Sequence, residues 1–411
     1  MAVTRRGAAW ILGLLALVLV TILARAVWHA RMATGERVAY VRVAFSDLPG
    51  WQEDDPRPAL AAFRKSCKRL LRLAGETPLE PPDIAGRAAD WHRACRAART
   101  ADGKDAATVR AFFECQFVPF SLRDGGRAEG LFTGYYEPLI EAARAPSDIY
   151  RIAVYRRPPE LVRVDLGAFA PDLADRRIAG QVIDGALRPF ATRADIEAGA
   201  LAGRGLELLW ARDPVAVFFL QIQGSGRARL PDGETLRLAY DGSNGHPYSA
   251  IGRLLVARGV FAPGAASAPA IAAWLRAHPE EGARLMAENA SYVFFRIAEG
   301  PGPVGAEGVP LTPGRSLAVD PRHLPFGAPV WLASTVPDAR DPVAGRLPLR
   351  RLMVAQDAGS AIRGAVRGDV FWGHGGTAAT IAGHMAERGR LWLLLPRPIT
   401  RRMRELRDHA S

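Results

Sequence analysis

From about residue 131 onward, the sequence consists of short β-rich runs separated by Gly and Pro, a pattern that predicts a mainly β body. Helical patterns interrupt these runs around residues 248–258 and 268–278, and residues 45–120 have apolar residues at helical spacing. We therefore predict a barrel-like β body behind an N-terminal helical layer. The predicted strands are residues 131–136, 153–156, 215–223, 236–240, 292–296, 316–319, 329–332, 351–356, 370–372 and 391–395, with a Gly/Pro-rich loop at 299–314.

The N-terminus predicts export. Arg5 and Arg6 precede an uncharged apolar run at residues 8–24, which fits a short membrane-spanning helix or a long signal-peptide core. Small residues at 24–26 would suit a signal peptidase, so an uncleaved anchor and a cleaved leader both stay open. No cysteine follows the run, which leaves no site for bacterial lipid attachment there.

Composition fits a folded chain with one large or two ordinary domains. Of the 411 residues, 49% are hydrophobic and 23% are charged. The formal charge of +12 comes from arginines scattered along the chain. It reflects either an arginine-rich proteome or attraction to an acidic polymer or anionic lipid.

The three cysteines allow one disulfide. Cys67 and Cys95 lie in helix-like segments separated by a Pro-rich turn, so in an exported protein we predict that they are bridged and that Cys115 is free. The alternative is three buried thiols.

Several enzyme classes lack their motifs. There is no Walker A loop, dinucleotide fingerprint, His-Glu-x-x-His or serine nucleophile elbow. His246, His323, His374 and His384 show no metal-ligand spacing. We predict no metal, no cofactor and no nucleic-acid partner.

Three aspartates in the C-terminal block are candidates for chemistry. Asp320 and Asp357 each follow a predicted strand, and Asp369 precedes the aromatic pair Phe371-Trp372. Each one alone is typical of a turn or cap, but three in one block weaken that interpretation. Paired carboxyl groups suit glycosidic chemistry, because a neighbouring carboxylate or an apolar pocket keeps one of them protonated. The sequence does not give their separation, so retaining, inverting and nucleophile-free mechanisms stay open.

Neutral hydrogen-bonding residues cluster upstream. Residues 221–226 follow the predicted strand at 215–220, and residues 241–248 lead into a helix. Such side chains suit a polar, uncharged ligand such as a sugar, although ordinary turn chemistry explains them equally well. Trp331 and Trp372 offer flat faces for sugar rings, with core packing as the alternative.

These motifs, taken in order, resemble the membrane-bound lytic murein transglycosylase A family. The resemblance covers roughly residues 45–396 and ends in that family's three-aspartate domain. Its motifs are Phe-Thr-Gly-Tyr-Tyr-Glu-Pro at 132–138, Gln-Gly-Ser-Gly at 223–226, the Gly-x-Asn-Gly-His core within 240–248, Tyr-Val-Phe-Phe at 292–295, and the block with Asp320, Asp357 and Asp369.

The resemblance implies a double-psi β-barrel domain with a second, inserted β domain and a groove between them for the glycan. The expected division is an anchor or signal peptide at 1–37, a helical layer and first part of the barrel at 45–150, the inserted domain at 151–298, and the three-aspartate domain at 299–397.

The resemblance also implies roles. Asp369 matches the catalytic acid, Asp357 the aspartate close to it, and Asp320 the first of the three; Glu137 receives no role. Substrate contacts are expected from Thr133, Tyr135, Gln223, Ser225, Asn244, Tyr248 and Trp372. The implied reaction cleaves the MurNAc–GlcNAc β-1,4 bond of peptidoglycan without water and leaves a 1,6-anhydro ring.

The expected partners are peptidoglycan glycan strands, the membrane through the N-terminal segment, and cell-wall enzyme complexes of unknown composition. The expected location is the periplasmic face of the inner membrane, or the periplasm if the leader is cleaved, rather than the outer membrane.

Two rival functions remain. A non-catalytic peptidoglycan-binding protein on the same barrel would bind glycan and release no fragments. An aspartic peptidase is suggested by Asp357-Ala358-Gly359-Ser360, but that chemistry needs two symmetric turns, and Asp369 lacks the Gly-Ser that should follow it.

Overall fold

The computed structural model of the chain describes residues 38–173, 176–300, 302–359 and 361–400. The apolar run at residues 8–24, and with it the predicted anchor or leader, lies outside these ranges. Across the described ranges, no helix combines the length and apolar content needed to cross a membrane.

The helices form the predicted N-terminal layer and also decorate the β body. They are α1 (Arg57–Leu70), α2 (Pro82–Ala85), α3 (Ala88–Thr100), α4 (Ala106–Gln116), α5 (Pro214–Gln223), α6 (Ile251–Ala257), α7 (Ala268–Ala277), α8 (Pro279–Ala287) and α9 (Gly376–His384). Shorter helical turns lie at Phe45–Asp47, Leu166–Ala168, Pro171–Leu173, Arg193–Asp195 and Ile196–Ala200.

The strands make up most of the remaining regular structure. They are β1 (Ala39–Arg42), β2 (Phe117–Arg123), β3 (Glu129–Glu137), β4 (Leu139–Ala143), β5 (Ile152–Tyr155), β6 (Val162–Asp165), β7 (Arg177–Ile183), β8 (Ala186–Pro189), β9 (Glu207–Ala211), β10 (Ser225–Arg229), β11 (Thr235–Ser243), β12 (Val293–Ala298), β13 (Ser316–Ala318), β14 (Pro329–Asp338), β15 (Asp341–Asp357), β16 (Arg367–His374) and β17 (Ala386–Pro396).

The helical layer is joined by a disulfide. In α1, Leu60, Phe63, Cys67 and Leu70 recur at helical spacing and are all buried against the rest of the core. Cys67 is bonded to Cys95 of α3, with 5.1 Å between their Cα atoms, and Cys115 is free and exposed. The predicted pairing is confirmed.

We expect removal of this disulfide to destabilise the helical layer. The bridge closes a loop with a sequence separation of 28 residues, and loss of such a constraint on the unfolded chain costs about 3 kcal/mol. Cys67→Ala/Cys95→Ala should therefore lower the urea midpoint, whereas Cys115→Ser should not move it. Thiol titration of denatured, unreduced protein should find one reactive thiol; three would contradict the bridge.

Six strands close the barrel. Their order is β17-β14-β15-β13-β16-β3, and β3 pairs back onto β17, which closes the ring. Two pairs, β13 with β15 and β16 with β3, are parallel, and the others are antiparallel. β2 and then β1 extend the sheet beyond β17. Residues 117–120, predicted within the helical region, belong to β2, because their aromatic and β-branched side chains pack in the core opposite β17.

A second sheet has the order β12-β11-β10-β4-β9-β5, and a small three-stranded sheet, β6-β7-β8, accompanies it. β4 joins this second sheet directly after β3 leaves the barrel, although its residues were expected in the barrel region. The exact domain boundaries stay a prediction.

The predicted strand at residues 215–223 is wrong, because these residues form helix α5. Asp213 caps the helix by accepting from Val215 N, Pro214 stands in its first turn, and Gly224 ends it with φ +77°. The helix is apolar on most sides and largely buried, so its sequence has no clear helical periodicity. These three capping residues indicate a helix, but the long apolar run between them favoured the interpretation as a strand.

Candidate active site

Strand β3 places two polar side chains beside the aspartates of the barrel. Thr133 and Tyr135 are two residues apart and therefore point to the same face of the strand. β16 runs parallel to β3 with Asp369 opposite Thr133. The pairing brings residues 236 positions apart into contact.

Asp369 is held at one oxygen. Thr133 donates its hydroxyl to Asp369 Oδ1 over 2.8 Å. Within the described chain, no group donates to the second oxygen, Oδ2. Burial raises the pKa of Asp369 to about 6; Arg367 and the Thr133 hydrogen bond oppose this rise, and the nearby Asp357 adds to it. A carboxyl group with this pKa holds its proton in part of the molecules near neutral pH.

Three of the described residues donate hydrogen bonds to Asp357. Tyr135 donates its hydroxyl to Oδ2 over 2.7 Å, and the backbone N–H groups of Ala306 and Ala358 donate to Oδ1 over 2.8 and 2.9 Å. Burial raises the pKa of Asp357, and the three donors limit the rise. Burial and the nearby carboxylates raise the pKa of Tyr135 far above its usual value, so its hydroxyl remains a donor.

The two aspartates flank the same strand. Ala318 of β13 pairs with Asp357 on one side and with Asp369 on the other. This register fixes the two carboxyl groups at neighbouring positions across the end of β13. The like charge of Asp357 therefore favours the protonated form of Asp369.

Asp320 makes different contacts. Its carboxylate is fully buried, pairs with the Arg322 guanidinium at 2.6 Å and accepts from Gly364 N over 2.9 Å. Burial would raise its pKa, but these donors outweigh burial and hold the pKa of Asp320 below its usual value. An ionised, saturated carboxylate stabilises the loop after β13 and has no proton to donate.

Arg367 belongs to the site, although sequence reasoning did not single it out. It lies two residues before Asp369 on the same strand face, and its Nη2 donates to Thr133 Oγ1 over 2.9 Å. Thr133 thus accepts from a cation and donates to the acid, which fixes the direction of its hydroxyl proton. Its spacing of two residues from Asp369 was the sequence feature that pointed to Arg367, because residues two apart on a strand lie on the same face.

Gln223 links helix α5 to strand β3 of the barrel. It is the last residue of α5, and its Oε1 accepts from the backbone N–H of Tyr136 over 3.2 Å. Ser225 begins β10 and is partly exposed. Both predicted substrate residues therefore lie near the strand that contacts the aspartates.

Asn244 and Tyr248 are placed differently. Asn244 is fully buried, and its side-chain amide bonds to the backbone of Ala191, Ala290 and Tyr292. With no exposed surface, Asn244 shapes the loop after β11 and does not reach a ligand. Tyr248 is 37% exposed and accessible.

Trp372 lies against β3. A Cβ on Gly134 would come within 2.7 Å of the Trp372 indole nitrogen, so glycine is required for this close approach. The ring is partly buried, and its N–H has no partner within the described chain. Trp331, by contrast, is fully buried and packs edge-on against Trp51, so it belongs to the core and offers no face to a sugar.

No group of three or more His, Cys, Asp or Glu side chains is placed to hold a metal ion in the described part of the chain. The arrangement itself provides a carboxyl group able to give and take a proton, a second carboxylate beside it, and polar side chains around both.

The closed barrel, the accompanying second sheet and the paired carboxyl groups define a mainly β enzyme of the barrel type. Family models match in two places: the MltA specific insert domain at residues 131–296 and the 3D domain at residues 315–395. The membrane-bound lytic murein transglycosylase A of Vibrio cholerae is 33% identical over 274 residues, which is 66% of this chain and 67% of that protein. The chain belongs to the lytic murein transglycosylase A family.

Further relatives agree. The protein of the same name from Escherichia coli K12 is 32% identical over 269 residues, covering 65% of this chain and 66% of its own length. Thus the chain spans about two thirds of the length of these curated relatives.

Solved structures confirm the predicted fold class. A membrane-bound lytic murein transglycosylase from Agrobacterium tumefaciens superposes with a TM-score of 0.78 and 38% identity, covering 89% of this chain and 99% of that one. Escherichia coli MltA with bound chitohexaose superposes with a TM-score of 0.62 and 25% identity, covering 87% of this chain and 91% of that one.

Proposed function

We propose that this protein is a peptidoglycan lytic transglycosylase that cleaves the MurNAc–GlcNAc β-1,4 bond and forms 1,6-anhydro-MurNAc. The names of its relatives support the reaction class. The observation on which the proposal rests is Asp369, a carboxyl group with a pKa of about 6, which accepts from Thr133 at one oxygen and has no donor from the described residues at the other.

A single carboxyl group serves both halves of the reaction. Protonated Asp369 gives its proton to the glycosidic oxygen as the bond to C1 of MurNAc breaks. The C6 hydroxyl of the same MurNAc then bonds to C1, and the Asp369 carboxylate takes the hydroxyl proton. The proton count closes without water, so the enzyme returns to its starting state. Asp357 favours the protonated form of Asp369 by like charge.

The glycan binds across the face that includes Thr133, Tyr135, Gln223 and Ser225. Tyr248 and Trp372 extend this surface for sugar hydroxyls and for one sugar face. Thr133 and Tyr135 bond to the aspartates, and Gln223 bonds to the strand that carries both of them. The family resemblance and the polar character of Ser225 and Tyr248 support their assignment, and the partly buried ring of Trp372 lies beside β3.

Product analysis tests the reaction. Digestion of purified sacculi should release muropeptides whose masses are those of anhydro forms and which resist borohydride reduction, because an anhydro ring has no reducing end. Reducible ends would mean hydrolysis and overturn the proposal. Tight binding to sacculi without released fragments would support the rival, a non-catalytic peptidoglycan-binding protein.

Asp357→Asn should shift the pH dependence more than it lowers turnover. Activity falls as pH rises through the pKa of Asp369, about 6. Removing the Asp357 charge lowers that pKa, so the alkaline limb of the profile should move to lower pH. Steady-state rates across pH 4–8 measure this shift, with the exposed Asp148→Asn as control. An unmoved limb would contradict the electrostatic coupling.

We further propose that residues 8–24 anchor the protein at the periplasmic face of the inner membrane. The full-length protein should then fractionate with inner membranes, and a chain beginning near Val38 should be soluble and active on sacculi. Full-length gene product recovered free in the periplasm and shortened after Ala26 would refute the anchor.

A further inference from the structure

A cavity of about 780 Å³ lies in the second-sheet region, apart from the aspartates. Strands β5 and β9 form one side, helix α5 another, and helices α7 and α8 a third. All of its lining residues fall between Arg151 and Tyr292, so no residue of the three-aspartate block contributes to it. Its size is that of a small-molecule or short-peptide site.

The walls are mainly apolar and aromatic. Trp210 and Ile152 line it from the strands, Val217 and Phe218 from α5, and Met286 from α8. Val217, Phe218 and Met286 are themselves almost fully buried behind the cavity surface. Such walls accept methyl groups and flat amide planes.

One wall residue has an unmet hydrogen bond. Gln221 lines the cavity, is only 5% exposed, and its Oε1 has no partner in the described chain. A buried acceptor without a donor destabilises the protein, because it has lost its hydrogen bond to water and gained none in return. A ligand N–H inside the cavity would satisfy it.

Arg193 is held in place by the protein and does not donate a hydrogen bond to Gln221 Oε1. It is 2% exposed, donates to the carbonyl oxygens of Asn289 and Ser291, pairs with Glu197, and lies 4.8 Å from the ring centre of Phe218. Its donors are therefore committed to the protein, and it serves as a rigid part of the wall.

The rim has one free charge of each sign. Arg151 is exposed and Glu207 partly exposed, and neither forms an ion pair in the described part of the chain. By contrast, Arg276 at the rim is neutralised by Asp213 at 2.8 Å. These two unpaired charges suit a ligand that has a carboxylate for Arg151 and an ammonium group for Glu207.

Helix α5 connects this cavity with the proposed glycan face. Pro214 and Gln221 line the cavity, and Gln223 at the end of the helix bonds to the strand that contacts the aspartates. Ten helical residues span about 15 Å. A four-residue peptide in extended form reaches about 13–14 Å, so a peptide attached to a glycan near Gln223 is long enough to enter the cavity.

We propose that the cavity binds the stem peptide attached to the glycan strand of peptidoglycan. A peptide N–H donates to Gln221 Oε1, alanine methyl groups pack on Trp210 and Phe218, and the charged groups of the peptide lie at Arg151 and Glu207. The inference rests on the proposed function for the identity of the peptide. It adds that the enzyme recognises peptide as well as sugar.

Binding of a free stem tetrapeptide, measured by calorimetry and ligand-observed NMR, tests the site directly. Gln221→Leu should weaken binding about 5-fold, the effect of one hydrogen bond. Ala283→Trp, at an exposed position on the cavity lining, should abolish it by filling the entrance. Gln52→Leu, an exposed glutamine elsewhere, and Asp369→Asn should bind like the wild type. Thermal unfolding checks that each variant is folded.

Cleavage assays separate this inference from the proposed function. On strands with peptides, the wild type should have a lower KM than on strands stripped by an amidase, and Ala283→Trp should erase that difference while still cleaving stripped strands. Peptide binding without cleavage of either strand would support the site and refute the proposed function. Cleavage with no peptide binding, or with equal binding by Ala283→Trp, would overturn the inference.

Discussion

Asp369→Asn should lower turnover on sacculi by about 10²–10⁴-fold, the range expected for loss of a general acid. Asparagine has nearly the same shape and still accepts the Thr133 hydrogen bond, but it has no carboxylic proton to donate. Binding to purified glycan strands should be kept, because Gln223, Ser225 and Tyr248 are untouched. Release of soluble anhydro-muropeptides over time, with strand binding measured in parallel, checks both expectations.

The same substitution should not destabilise the fold at neutral pH. The pKa of Asp369 is raised above its unfolded value, so its contribution to stability is complete below the unfolded pKa and is lost as pH rises through about 6. Asparagine does not ionise, so the variant should gain stability relative to the wild type between pH 4 and pH 7. Calorimetry at both values tests the sign.

Near-normal turnover by Asp369→Asn would contradict its role as the acid and would assign that role to Asp357.

Glu137→Ala should cost about 3–5 kcal/mol of unfolding free energy, the loss expected when one partner of a buried ion pair is removed. Glu137 ends β3 where the chain leaves the barrel, and its side chain is 1% exposed between Arg227 of β10 and Arg237 of β11. The two guanidinium groups lie 3.4 and 3.7 Å from its oxygens. Without the carboxylate, two largely buried cations would face each other at the junction of the two sheets.

A neighbouring acid provides the matched control. Glu141 pairs with Arg229 at 3.0 Å but is 45% exposed, so Glu141→Ala should change stability by less than about 1 kcal/mol. Glu137→Gln should fall between the two because it keeps the shape and one acceptor. Urea unfolding measures all three variants. Equal effects of Glu137→Ala and Glu141→Ala would show that the buried cluster does not hold the junction.

The mainly β body and the helical layer could be predicted because the spacing of apolar residues along a strand or helix is visible in a short stretch of sequence. This spacing did not predict α5, since a helix that is apolar on most sides lacks a helical periodicity. There Asp213, Pro214 and Gly224 were the better evidence. The disulfide was predictable because both cysteines lie in helix-like segments on either side of a Pro-rich turn, in a chain expected to be exported.

The active site was harder to predict from short stretches of sequence than the fold was. The contact between Thr133 and Asp369 depends on the register of β3 against β16, which no short stretch of sequence specifies. Only the order of several motifs, shared with a family, placed these residues together. Arg367 was missed because a single charged residue has no distinctive neighbours until the fold surrounds it, and Glu137, although part of a recognised motif, received no role.

The ring of strands has a consequence for when the enzyme becomes active. The barrel closes only when β17, ending at Pro396, pairs with β3 near residue 130. β16, which holds Asp369, is likewise made more than 200 residues after Thr133. Long-range strand pairing of this kind forms late and slowly. A chain whose synthesis has not reached β16 therefore lacks the contact between Thr133 and Asp369, and one that has not reached β17 lacks the closed barrel, so the site forms only after the C-terminal strands have been made.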